Sequence, residues 1–168
     1  MAVLSDVEIK KLIRQNSLIE KMIDEAVQLQ PAGIDLTLAE LFEFEEAGRL
    51  DFTNQERVLP KCRKLPFNSE WMKLESGVYK VVYNEIIHIP TDCIGLAFPR
   101  SSLLRCGAFM HCAVWDPGYE GRSESLVVVS NKHGIKLKRN ARLAQLILLK
   151  LATPPKAKYS GKYLRENI

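Results

Sequence analysis

Pro99-Arg100-Ser101-Ser102 ends an extended apolar run and opens a short helix, so a guanidinium, two hydroxyls and free backbone N–H groups converge at one point. That combination grips phosphate, because the first turn of a helix has N–H groups without intrahelical partners and a guanidinium adds charge-assisted hydrogen bonds. Further along, Trp115-Asp116-Pro117-Gly118-Tyr119-Glu120-Gly121 places a carboxylate and an aromatic ring on a tight turn shaped by its proline and glycines. Taken singly, Arg-Ser-Ser also fits a helix N-cap with an exposed arginine, and Asp-Pro-Gly-Tyr an ordinary turn. Together they read as an anion cradle facing an acid and a stacking ring.

The elements must bring these pieces to one place. Gly107–Val114 between them reads as one strand, which at its full length rises roughly 25 Å, so the two pieces need not meet within one chain and a site formed between subunits is a live alternative. Before them, Ser5-Asp6-Val7-Glu8 followed by Ile9, Leu12 and Ile13 predicts a helix over about residues 6–15, with a capping hydroxyl and an acidic first turn. Leu18–Ile23 and Ala26–Gln30 read as short strands. Ile34, Leu36 and Leu38 alternate with Asp35 and Thr37, a strand with its acid in the polar register, directly after Pro-Ala-Gly where it fits the lining of a cleft. Leu41–Glu45 reads as a strand in a hairpin with Leu50 and Phe52, and Thr53–Glu70 as loop with a short strand near Val58. Trp71–Leu74, Val78–Tyr83, Ile86–Pro90, Cys93–Phe98, Ser125–Asn131, Ile135–Leu137 and Arg142–Leu151 read as strands, and Arg100–Cys106 as a second short helix. Many short strands without βα alternation predict an all-β fold, a distorted barrel or jelly roll with two short helices.

Composition narrows the class. The 168 residues, 46% hydrophobic, suffice for one domain over 1–155 with a basic tail over 156–168. No apolar run approaches the ~20 residues of a membrane span, and Asp6 and Glu8 stand where a signal peptide needs an apolar core. A cytoplasmic protein with no membrane partner is expected. The net charge of +4 is concentrated in Lys132–Arg139 and the tail. There it alternates with Ile135 and Leu137, the pattern of a solvated strand and turn rather than a nucleic-acid surface. Cys62, Cys93, Cys106 and Cys112 form no CxxC pair and read as buried free thiols. His111 and Cys112 are adjacent on a strand and point to opposite faces, which favours a packed histidine over a zinc ligand. Tyr159-Ser160-Gly161-Lys162-Tyr163 suits a segment closing over a ligand, or a frayed terminus.

Four segments, in order, resemble the motifs of the dUTPase and dCTP deaminase superfamily. Ala32-Gly33-Ile34-Asp35-Leu36 is similar to its first motif and Arg100-Ser101-Ser102-Leu103 to its second. Trp115–Gly121 is similar to the third, in the Asp-Pro-Gly-aromatic form of the deaminase branch, and Asn140-Ala141-Arg142-Leu143-Ala144-Gln145-Leu146 to the fourth. The early helix and the Tyr-x-Gly-Lys-Tyr tail also match that branch. The resemblance implies a dUTPase-like jelly roll, a homotrimer with sites at subunit boundaries, and a deoxypyrimidine triphosphate ligand.

It also implies roles. Deaminases of this kind use a glutamate three residues before an asparagine; Asn131 matches the asparagine, and Val128 stands at the acid position. Glu124, the nearest acid, lies roughly 13 Å away along an unbroken strand, too far to take over the proton transfer. The reading is therefore an archaeal-type dUTP diphosphatase with a deaminase-like body. Asp116 is the general base, and Asp35 orients Mg²⁺ through its water shell. Gln145 positions water or phosphate. Arg100, Ser101 and Ser102 bind phosphates, with Arg105 serving phosphate or structure. Tyr119 packs under the deoxyribose, and the Phe109–Ala113 backbone reads uracil. Tyr159 and Lys162 complete the site from the tail. A dCTP deaminase, alone or bifunctional with dUTPase, and a non-catalytic nucleotide-binding regulator are the alternatives.

Overall fold

At the N-terminus Glu8 accepts hydrogen bonds from Ser5 N (2.9 Å) and Ser5 Oγ (3.1 Å), the carboxylate half of a capping box at the start of helix α1 (Asp6–Asn16). The computed structural model describes residues 2–16 and 18–168. Strands β1 (Ala2–Val3) and β2 (Ile19–Glu20) flank α1, followed by helix α2 (Glu25–Gln28), β3 (Leu29–Gln30) and the long β4 (Gly33–Phe44). Then come β5 (Cys62–Leu65), β6 (Trp71–Leu74), β7 (Gly77–Tyr83), β8 (Ile86–His88) and β9 (Cys93–Pro99). Helix α3 (Ser101–Arg105), β10 (Ala108–His111), β11 (Glu120–Gly121), β12 (Glu124–Val129), β13 (Ile135–Lys138) and β14 (Arg142–Lys150) complete the order.

The principal sheet runs β1-β14-β4-β7-β12-β10, with β3 and β5 also on β4 and β9 on β14. Every pairing is antiparallel. A sheet of this length closes on itself because strand twist accumulates, and here it curls into a half-barrel around Leu36, Leu38, Val81, Tyr83, Val127, Leu146 and Leu148. Two smaller sheets have the orders β11-β8-β2 and β13-β6. The fold is the expected all-β, distorted jelly-roll class. No helix among the described residues is long and apolar enough to cross a membrane.

Several local expectations change. Of Ala26–Gln30 only Leu29–Gln30 is a strand: Asp24 Oδ1 accepts from Ala26 N (2.9 Å) and Val27 N (3.3 Å), and this cap starts α2, giving three helices among the described residues rather than two. The hairpin partner of β4 is β5, not Leu50 and Phe52; β4 runs unbroken to Phe44 while Phe52 is fully exposed. The charged face of β5 hides a strand inside an apparently loop-like stretch, because Arg63 and Lys64 pair across the ladder with Glu43 and Glu40. Gly107–Val114 is a strand only from Ala108 to His111, since the chain then leaves β12 and bridges β9 at Gly95↔Trp115. The cysteines are free, but Cys106 is exposed and only Cys93 is fully buried.

Candidate active site

Gln145 stands opposite Asp35 in the β4–β14 ladder and opposite Phe98 in the β14–β9 ladder, which brings the first, second and fourth motifs together. Gly33 allows this approach: a Cβ there would lie 2.5 Å from Leu146 O and 3.0 Å from Gln145 Cγ and Nε2. Asp35 is 1% exposed; its Oδ2 accepts a hydrogen bond from Arg142 Nη1 at 3.1 Å and pairs with the Arg100 guanidinium, whose Nε lies 2.9 Å away. Burial pushes the Asp35 carboxyl above its usual range, against the pull of the two guanidiniums. No hydrogen bond from the described residues reaches its Oδ1.

Arg100 is held extended at the end of β9 by its N–H to Leu143 O (2.9 Å), and its own carbonyl begins α3 by accepting Leu103 N (2.9 Å). Among the described residues the N–H groups of Ser101 and Ser102 find no acceptor, and both side chains face solvent. Leu103 is buried and anchors the helix, while Arg105 is exposed at its last position.

The third motif forms a second group. Trp115 exchanges backbone bonds with Gly95 (2.9 and 3.0 Å) and donates Nε1–H to Ser123 Oγ (2.6 Å), which fixes the turn that follows. That turn closes by Tyr119 N to Asp116 O (3.0 Å), with Gly118 at φ +80° and Lys158 packed so closely that a Cβ would come within 2.8 Å of it. Asp116 is exposed and makes no ion pair among the described residues. Tyr119 is buried; its ring meets Tyr159 edge-on at 5.8 Å, and its hydroxyl donates to Glu166 Oε1 at 2.8 Å.

The tail lies along β11. Tyr159 N donates to Pro117 O (2.7 Å), Arg165 N to Glu120 O (2.7 Å) and Arg122 N to Glu166 O (2.9 Å). Lys162 is exposed. Ala113 is also exposed, in the stretch where the chain has left the β12 ladder. From Asp35 across β14 and β9 to Trp115 is three strand spacings, roughly 14 Å sideways. Among the described residues no hydrogen bond or ion pair joins the Asp35 group to Asp116.

Val128 is half-buried between Phe109 and Val78 and carries no proton chemistry. Glu124 is engaged by Lys80 Nζ (2.9 Å) and Asn167 Nδ2 (3.3 Å), and Asn131 closes a turn through His133 N (3.0 Å) and Cys106 O (3.1 Å). His111 packs on Phe109 while Cys112 turns inward to Ser125 Oγ (3.3 Å).

Sequence reasoning missed Arg142, Gln28, Glu85 and Glu166. Arg142 lies within the fourth motif, where the resemblance assigns it no role. Glu85 is fully buried, and burial pushes its carboxyl up against the hydrogen bonds from Thr37 and Gln28.

The model of the dCTP deaminase-like family matches residues 3–151. The chain belongs to the dCTP deaminase-like family. A relative from Methanosarcina mazei is 49% identical over 99% of both chains and is named probable deoxyuridine 5'-triphosphate nucleotidohydrolase. One from Methanocaldococcus jannaschii, named deoxyuridine 5'-triphosphate nucleotidohydrolase, is 44% identical over 83% of this chain and 88% of its own. The crystal structure of the 2'-deoxycytidine 5'-triphosphate deaminase from Agrobacterium tumefaciens superposes with a TM-score of 0.65 at 24% identity, covering 87% of this chain and 47% of that one. That last likeness speaks for the dCTP deaminase-like fold alone.

Proposed function

We propose that the protein hydrolyses dUTP to dUMP and pyrophosphate. The observation that carries this reading is the pairing of an intact Asp116 with Val128 at the acid position: the chain keeps a carboxylate for activating water and has no acid for deaminating the base. The names of its near-full-length relatives support it.

The chemistry follows from the two groups. Arg100, with the hydroxyls and free N–H groups of Ser101 and Ser102, holds the phosphates and stabilises charge that builds toward the leaving pyrophosphate. Asp116, solvent-facing on a rigid turn, takes the proton of the water that attacks the α-phosphorus in line. Gln145, opposite Asp35, positions that water or a phosphate oxygen. Tyr119 and Tyr159 form the aromatic wall against the deoxyribose, backbone groups around Ala113 read the base, and Lys162 and Arg105 add charge for the outer phosphates.

The donor set fits Mg²⁺. A buried carboxylate whose Oδ1 has no hydrogen-bond partner among the described residues and a neighbouring amide offer hard oxygen ligands, too few for a full cage, which suits an ion that keeps several waters and takes phosphate oxygens. Asp35 would hold it through water. When bound, the ion neutralises phosphate charge.

Because Asp35 and Asp116 belong to separate groups within one chain, the complete site is formed between subunits of a homotrimer, one supplying the phosphate cradle and another the acid. A cytoplasmic location fits an enzyme of the nucleotide pool. Assaying dUTP and dCTP in parallel, with pyrophosphate and ammonia both measured, tests the reading. Mg²⁺-dependent pyrophosphate from dUTP without ammonia from dCTP is the expected result. Ammonia from dCTP assigns a deaminase instead, and tight dUTP binding without turnover assigns a regulator.

A further inference from the structure

Glu85 is fully buried, yet it is ringed by hydrogen-bond donors. Its Oε1 accepts Gln28 Nε2–H at 2.7 Å and Thr37 Oγ1–H at 2.6 Å, and its Oε2 accepts Thr37 N–H at 2.9 Å. The direction of each bond is fixed by the next residue out. Gln28 Oε1 is committed to Ile23 N (2.7 Å) and Asp24 N (3.0 Å), so its amide nitrogen must face Glu85 and Asp35 O (2.8 Å). Thr37 Oγ1 accepts from Asn84 Nδ2 (2.9 Å), which also donates to Asn140 Oδ1 (3.1 Å), so the hydroxyl proton must point at Glu85. The network runs one way and ends on a single carboxylate.

What it fixes is the cradle. Gln28 holds the carbonyl of Asp35 from behind, and Glu85 holds the N–H of Thr37, so the backbone on both sides of Asp35 is pinned. Gln28 also belongs to α2, whose Val27 carbonyl accepts at 2.9 Å from the same Arg142 Nη1 that binds Asp35 Oδ2 at 3.1 Å. We propose that Glu85 is a positioning residue for the phosphate and metal end of the site, acting through Gln28 and Thr37 to set Asp35, Arg100 and Arg142 in one geometry. An apolar side chain would fill this volume at lower desolvation cost, but only an acceptor on both oxygens satisfies every donor aimed at it.

This inference rests on the reading of Asp35 as the residue that orients the metal. Glu85→Gln keeps the shape and sets an N–H₂ against one of the donors. Its test compares wild type, Glu85→Gln, Thr37→Val, Thr37→Ser and the core variant Leu137→Ala, in which the truncated residue lies on β13 away from the site. For each folded protein three quantities are read: kcat and KM for dUTP, Mn²⁺ affinity by electron paramagnetic resonance with α,β-imido-dUTP bound, and the Arg100 Nε–H resonance without ligand. Glu85→Gln is expected to lower kcat at least tenfold, weaken Mn²⁺ by a similar factor, leave KM within threefold and shift the Arg100 resonance. Thr37→Val should show the same signature more weakly, Thr37→Ser should restore it, and Leu137→Ala should lower the melting temperature alone.

If Glu85→Gln does not fold, the Thr37 pair decides on the same readouts. Unchanged kcat, Mn²⁺ affinity and resonance in the decisive variants overturn the inference, as does an equal loss in Leu137→Ala. A wild-type protein that neither hydrolyses dUTP nor binds Mn²⁺ with the analogue overturns the reading of the site itself.

Discussion

Arg100 Nε lies 2.9 Å from Asp35 Oδ2, an ion pair that ties the segment opening α3 to the start of β4. Arg142 reaches the same oxygen from β14, so one buried carboxylate orders two cations that would otherwise repel each other. If these residues hold the phosphates as proposed, the ion pairs order their charges in advance, which lowers the ordering cost of binding.

Asp35→Asn removes the charge between the two guanidiniums and is expected to destabilise the fold by about 1–3 kcal/mol. The Mg²⁺ concentration for half-maximal activity should rise at least tenfold, while dUTP affinity in EDTA stays within threefold. Thermal melts, Mg²⁺ titration of pyrophosphate release and calorimetry check the three parts. An unchanged Mg²⁺ requirement would move the metal elsewhere.

Asp116→Asn should separate chemistry from folding. The side chain is exposed and makes no ion pair among the described residues, so stability should change by no more than about 0.5 kcal/mol. Loss of a general base lowers turnover by roughly 10²–10⁴-fold. Pyrophosphate release should fall by that range with the dissociation constant of dUTP held, and retained turnover would remove Asp116 from the role of base.

Gly33→Ala tests the closeness of β4 and β14. A methyl group 2.5 Å from Leu146 O must push one strand away, and the displaced strand carries Gln145. The cost should be about 1–3 kcal/mol, as for other overpacked sites. Turnover should fall several-fold through the shifted amide, and full turnover with a normal melting temperature would show that the ladder has slack.

The sequence made the strand alternation around Ile34, Leu36 and Leu38, the helix at Ser101 and the four motifs readable because each depends on local spacing. Arg142, Gln28 and Glu85 were not readable for the converse reason. Their partners lie far along the chain, with Arg142 bound to Val27 and Asp35 and Glu85 to Gln28 and Thr37, so only register brings them together. The strand β5 was hidden by its own charges, whose cross-strand partners on β4 carry the opposite sign. The break after His111 was hidden because an apolar run does not announce where it changes neighbours.

Glu166 gives the tail a pH dependence whose sign is fixed. Burial, followed by the nearby Glu124, raises its carboxyl above the usual range, against the Tyr119 hydroxyl and Lys80, with the Arg165–Glu120 pair beside it. A carboxyl raised in the docked state adds docking free energy that is fully present below its ordinary pKa and is lost as pH rises through the raised value. Hydrogen exchange at Arg122 N and Arg165 N, bonded to Glu166 O and Glu120 O, should therefore show protection, corrected for intrinsic rates, that declines from pH 4 to pH 7. Glu166→Gln keeps a hydrogen bond to Tyr119 and carries no charge, so its protection should stay level across that range and exceed that of wild type at pH 7. A wild-type tail equally protected at both ends of the range would show that Glu166 titrates alike docked and free, and that the tail is held by its backbone bonds and by Tyr159 on Tyr119 alone.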